Sequence, residues 1–107
     1  MNKVFKLKPN EIKNLAIGYG ACIATDMITV HGHKVGYMYR DEPDSPNSGW
    51  VFMAGNETQE YMDNPANIAM YDINTIANYD QDIIPLIESP VGTECERDSD
   101  GVLKIVS

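Results

Sequence analysis

His31-Gly32-His33 sets two imidazoles two residues apart, a spacing that on a strand turns both rings to one face, where they could hold a metal. The pair brackets a turn glycine instead, and no third ligand lies nearby in the chain. A metal centre takes three or four ligands, so a solvated turn tip is the favoured reading. Asp98-Ser99-Asp100-Gly101 opens like a calcium loop but lacks the third acidic position before the glycine and the glutamate that closes such a loop. Asp-Gly is a preferred turn dipeptide, and a hairpin turn is expected there. The pairs Asp41/Glu42 and Glu57/Glu60 could provide two carboxylates for general acid–base work. Nothing marks either pair as buried or set beside a nucleophile. The chain also carries no Gly-x-Ser-x-Gly, no Cys/His signature and no phosphate loop. An enzyme is not expected, and no cofactor or metal is implied.

Cys22 and Cys95 are the only cysteines, and neither has a C-x-x-C partner. Two small buried hydrophobes are the default for a reducing compartment, with a disulfide or redox pair as the alternative. Trp50 stands at a loop–strand junction, where a tryptophan is more often core than interface anchor. Tyr61 lies beside Glu60 and Asp63, and an aromatic ring among acids suits contact with a Lys- or Arg-rich partner.

Charge is unevenly spread. Residues 1–40 hold six of the eight basic residues and two acids, about +4, whereas residues 41–107 come to about −12. The acids alternate with aromatic and aliphatic residues, as in Tyr79-Asp80-Gln81-Asp82-Ile83-Ile84, which reads as a folded domain with an acidic face. A formal charge of −8 argues against nucleic acid as a ligand, and a basic protein partner is the natural expectation. There is no secretory pattern at the start and no apolar run of membrane length, so a cytoplasmic protein is expected.

The elements that must position these residues follow from spacing. At 107 residues the chain is expected to be one domain, 1–107. Lys3, Lys6 and Lys8 alternating with Phe5 and Leu7 suggest an edge strand with a solvated lysine face. Ile12, Leu15 and Ala16 follow helical spacing after Pro9-Asn10-Glu11, with Gly18-Tyr19-Gly20 as the stop. Residues 21–25 form a strand candidate. Residues 27–30 and 34–40 read as a hairpin about His31-Gly32-His33, with Val35, Tyr37 and Tyr39 on one face of the second strand. Residues 41–49 are an exposed loop and 50–54 a strand. A helical turn over 57–62 ends before Pro65. Residues 67–78 are compatible with a strand leading into a short helix, and their periodicity does not settle it. Asp80 caps a helix to about Ser89, distorted by Pro85, with Ile83, Ile84 and Ile87 inward. A final hairpin, 93–97 with 102–106, closes the chain. The pattern predicts an α+β fold, a single domain with a mostly antiparallel sheet and short helices.

Taken together, the segments CIATDMIT (22–29), KVGYMYRDEPD (34–44), SGWVFMAGNE (48–57), EYMDNPANIAMYDINTIANYD (60–80), DIIP (82–85), SPVG (89–92) and ER (96–97) resemble the bacterial DUF2185 family, grouped with the Imm33-type immunity proteins of polymorphic toxin systems. The resemblance covers about residues 20–98. Asn47 stands where the family more usually has Asp, and Cys95 where an aromatic is commoner. No catalytic residue is carried over. The resemblance implies a small cytoplasmic protein that neutralises a cognate toxin by binding it. On that reading a basic toxin domain meets Asp41, Glu42, Asp44, Glu57, Glu60 and Asp63, with Trp50 and Tyr61 as anchors. The alternative is a housekeeping or regulatory domain that binds a small molecule or metal.

Overall fold

The computed structural model describes residues 3–107; Met1 and Asn2, the first two residues of the basic start, lie outside the described residues. One sheet has the strand order β4-β1-β3-β2-β5-β6. Its strands are β1 Ala21–Thr25, β2 Tyr37–Arg40, β3 Asn47–Met53, β4 Ile68–Asp72, β5 Glu94–Arg97 and β6 Leu103–Ile105. Every neighbouring pair is antiparallel except β1 with β3. Helices α1 (Asp26–Thr29), α2 (Gln59–Asp63) and α3 (Ile73–Tyr79) are short, and 3-10 segments occupy Pro9–Glu11, Pro65–Asn67 and Gln81–Leu86. The predicted α+β class with a mostly antiparallel sheet is what the molecule has.

Strand alternation sorts the sheet residues between two faces. One face carries Cys22, Ala24, Met38, Trp50, Phe52 and Cys95, brought side by side by the register. They form one buried cluster with Ile28 of α1, Ile73, Ile76 and Ala77 of α3, and Ile83 and Ile87 beyond it. Burying each large aliphatic side chain contributes about 1.5–3 kcal/mol, so this layer supplies most of the stability. The other face carries Ile23, Val51, Met53, Tyr37 and Tyr39. None of these belongs to the cluster, although Val51 itself is buried. Helices therefore cover one face of the sheet, and no described helix buries a side chain against the other.

Several local expectations change. Residues 3–8 do not form an edge strand. They run along α1 and α3, with Lys6 N donating to Thr29 O at 2.8 Å and Leu7 N to Tyr79 Oη at 3.1 Å, while Phe5 meets Tyr71 edge-on. The segment finds partners at helix ends and has no need of a ladder. The helical candidate after Pro9 is only one 3-10 turn, because asparagines of α3 take its backbone groups. Asn74 Oδ1 accepts from Leu15 N at 2.7 Å and Ala16 N at 2.8 Å, and Asn78 Oδ1 from Lys13 N at 2.9 Å. Both side-chain amides donate to Lys13 O.

The hairpin expected over 27–40 does not form either. Residues 26–29 are α1, whose Asp26 carbonyl accepts from Val30 N and His31 N. Burial of Ile28 and Thr29 overrides the strand preference of Ile-Thr-Val. β2 instead pairs with β3 and β5. β3 begins at Asn47, three residues before Trp50, and Gly49 permits it. Its φ is +94°, and a Cβ there would lie 2.0 Å from Asp41 O. The strand at 21–25 and the closing β5–β6 hairpin stand where the spacing put them, and the open segment 67–78 resolves into β4 followed by α3. Asp80 caps its segment through Asp82 N at 3.0 Å, but that segment is a 3-10 helix ending at Leu86.

Candidate partner-binding surface

The loop between β2 and β3 exposes Asp41, Glu42 and Asp44. Backbone bonds close it: Asp41 N donates to Gly49 O at 2.9 Å, and Asp44 and Asn47 exchange bonds at 3.0 and 2.8 Å. Burial raises the pKa of the neighbouring Tyr39 phenol, and the negative charge of Asp41 adds to it.

The second acidic segment lies past the other end of β3. Glu57 is not a free contact, because its carboxylate accepts from Thr25 Oγ1 at 2.5 Å and from the Ala54 and Gly55 amides, each at 2.8 Å. Burial pushes its pKa up, but these bonds outweigh burial and hold it below the usual glutamate range. Glu57 thereby ties the turn after β3 to the end of β1. Glu60 and Asp63 are exposed on α2, whose N-cap Thr58 accepts from Tyr61 N. Asp63 also accepts from Gln59 Nε2 at 2.8 Å. Tyr61 is half-buried, and its hydroxyl has no hydrogen-bond partner among the described residues. Burial raises this phenol's pKa, with Asp26 and Glu57 adding, while the Met27 amide opposes the shift without completing a bond. β3 spans six residue steps, so about 20 Å separates the two acidic segments at ~3.3 Å per residue.

Trp50 belongs to the core, and its expected role as an anchor is corrected. Its indole is fully buried, donates from Nε1 to Ile87 O at 2.9 Å and stacks on Phe52 with centroids 6.1 Å apart. The Arg40 guanidinium sits 5.8 Å from the ring centroid, pinned by Ser48 O and Ser89 O.

Sequence reasoning saw Asp80 only as a cap and missed its pairing. The carboxylate is fully buried. Oδ2 accepts from Val35 N at 2.9 Å and from Arg97 at 2.5 Å, and Lys34 Nζ lies 4.0 Å from Oδ1. Arg97 also donates to Val35 O, Asp82 Oδ2 and Gly101 O, joining four segments of chain. The available signal was that Arg97 is one of only two basic residues after Asp41. His31 and His33 are exposed after α1. Asp98 Oδ1 accepts from the amides of Asp100 and Val102, so this carboxylate serves its own turn. Both cysteines are free, and burial raises the pKa of each, with Asp72 adding at Cys22. β3 and β2 lie between their strands, and three spacings of ~4.8 Å put them about 14 Å apart, twice the reach of a disulfide. No helix among the described residues is long and apolar enough to cross a membrane.

Fold and surface define a small two-layer α+β domain that meets solvent through carboxylates and one uncovered sheet face. The chain belongs to the Imm33 family: the immunity protein Imm33 domain matches residues 22–107. The match runs past the stretch over which the motifs were recognised and includes β5 and β6 entire. No curated protein and no solved structure matches the chain.

Proposed function

We propose that this protein is a non-enzymatic immunity protein of the cytoplasm that binds a cognate toxin domain and neutralises it. Family membership carries the reading, and the charge of −8 supports a basic partner. The contact set consists of the exposed carboxylates Asp41, Glu42, Asp44, Glu60 and Asp63, with Tyr61 beside the last two. Glu57 contributes by holding its segment in place, and Trp50 by holding the core. Surface carboxylates of this kind steer encounter and act mainly on association rate, so affinity falls as salt rises.

The test is rescue of bacterial growth against toxin domains encoded beside the gene, followed by co-purification. Neutralising Asp41, Glu42, Asp44, Glu60 and Asp63 together to their amides is expected to slow association by roughly tenfold or more at low salt, with the fold intact. Absence of rescue by every neighbouring toxin domain overturns the immunity role. Rescue with unchanged association rates overturns the acidic contact set alone.

A further inference from the structure

We infer that the uncovered face of the sheet is the docking surface. It takes a protein surface that presents aliphatic or aromatic side chains ringed by Lys and Arg. The inference rests on the immunity reading and names the centre of that contact. Register sets Met70, Ile23, Val51 and Tyr39 in one row across β4, β1, β3 and β2. Met53 and Tyr37 face each other in the next row. Met70 is 56% exposed, and Ile23, Met53, Tyr37 and Tyr39 are half-buried. No described helix buries a side chain here, so the row, apart from buried Val51, keeps apolar surface in water.

Charge identifies the occupant. Tyr39 pairs across from Glu94 and Tyr37 from Glu96, and the Tyr37 hydroxyl donates to Glu94 at 2.6 Å. Asp41 stands near Tyr39 at the loop end of the same face, close enough to bear on its phenol. Lys104 sits opposite Glu96 and is engaged by Asp98 at 3.4 Å. Two open grooves of about 700 and 290 Å³ meet at Tyr37. The cations that line them are already engaged: Arg97 by Asp80 and Asp82, Lys34 near Asp80 at 4.0 Å, Lys104 by Asp98, and Arg40 by the Ser48 and Ser89 carbonyls. An apolar, tyrosine-bearing centre with a carboxylate rim is complemented by an apolar patch with a basic rim. A second copy of this chain would set acidic rim against acidic rim, which disfavours self-association through this face. From β4 to β5 the face is about 19 Å wide at ~4.8 Å per strand. The acidic loop at the Asp41 end of β3 extends it toward the ~800 Å² that a standard interface takes from each partner.

The test uses the toxin domain that the growth assay identifies. Tyr39→Ala and Met70→Lys are each expected to weaken binding by at least about tenfold, mainly through dissociation. Glu88→Gln, on the helical side, should bind as the parent does. Because a sheet variant can lose its fold, hydroxyl-radical footprinting of the unmodified complex runs in parallel, with Met70, Met53 and Tyr39 expected to become protected. Both variants binding within about twofold of the parent, or full reactivity of those side chains in the complex, overturns the surface and leaves the immunity role standing. Absence of any toxin that this protein rescues overturns both.

Discussion

Removing the Asp80 carboxylate should cost more stability than any surface substitution in this protein, and its parts can be weighed. Asp80→Ala takes the closest counter-charge from Arg97, whose side chain is only 16% exposed. It also orphans the Val35 amide, which donates to Oδ2. Breaking a buried pair on one side costs about 3–5 kcal/mol. Arg97 keeps Asp82, Gly101 O and Val35 O, which moves the expectation to the lower end, about 3–4 kcal/mol. At roughly 4–8 °C per kcal/mol for a domain near this size, Tm should fall by about 12–32 °C. Asp80→Asn retains the shape and one acceptor and should fall between Asp80→Ala and the parent.

The comparison that isolates the pair is Asp82→Asn. Asp82 also bonds Arg97, but its side chain is 55% exposed, so its loss should cost at most about 1 kcal/mol. Urea titration followed by tryptophan fluorescence reads all of this, because buried Trp50 is the single tryptophan. A double mutant with Arg97→Met should recover part of the loss, since the uncompensated guanidinium accounts for much of it. If Asp80→Ala lies within about 1 kcal/mol of the parent, or the cycle shows no coupling, the reasoning that this pair secures the fold is wrong.

Asn74→Ala should cost about 1–3 kcal/mol and speed hydrogen exchange at Leu15 and Ala16, whose amides it caps; unchanged exchange at both would refute that role. Glu57 has a folded pKa below the ordinary 4.5, so its carboxylate stabilises the fold above the unfolded value and that contribution is lost as pH falls through the folded one. Glu57→Gln should therefore flatten stability against pH on the acid side, and a parental slope there counts against the assignment. Cys22 and Cys95 should react with a thiol reagent only at the rate of unfolding, since both are buried and free; rapid labelling of native protein contradicts this. Gly49→Ala should destabilise far more than Gly18→Ala. Both positions have positive φ, but only at Gly49 does the added carbon meet a carbonyl, that of Asp41, at 2.0 Å.

Much of the sheet was legible from alternation and turn chemistry. Asp98-Ser99-Asp100-Gly101 marked the last hairpin, whereas the period of residues 67–78 left the passage from β4 into α3 open. The failures share a cause. Ile28-Thr29-Val30 prefers a strand locally, and Ile12-Leu15-Ala16 a helix, but each is decided by groups far away in sequence. For the first it is the core beneath α1, and for the second the side chains of Asn74 and Asn78. The candidate surface failed in the same way. Asp44 and Glu57 are close in sequence yet lie at opposite ends of β3, and one carboxylate is consumed by backbone amides. Tyr37 and Tyr39 were placed on one face of a strand, but which face the helices cover depends on topology that spacing does not carry.

The uneven charge along the chain becomes an uneven charge across the fold, and this bears on how a partner would approach. The first segment runs along the helical side: Lys3 is paired with Asp26 at 2.7 Å, the Lys6 backbone joins α1, and the Lys13 backbone joins α3. The opposite face carries Glu94, Glu96 and the Asp41 loop, with Lys104 already engaged by Asp98. A basic partner therefore meets attraction at the carboxylates of the sheet side. Steering of this sort sets orientation before contact, and the apolar row across β4, β1, β3 and β2 then decides residence time. The two kinds of variant should consequently separate kinetically. Carboxylate neutralisation should slow association and remove its salt dependence, whereas Tyr39→Ala should speed dissociation at any salt. If both act on the same rate constant, the division of labour between rim and centre is wrong, even where both residues touch the partner.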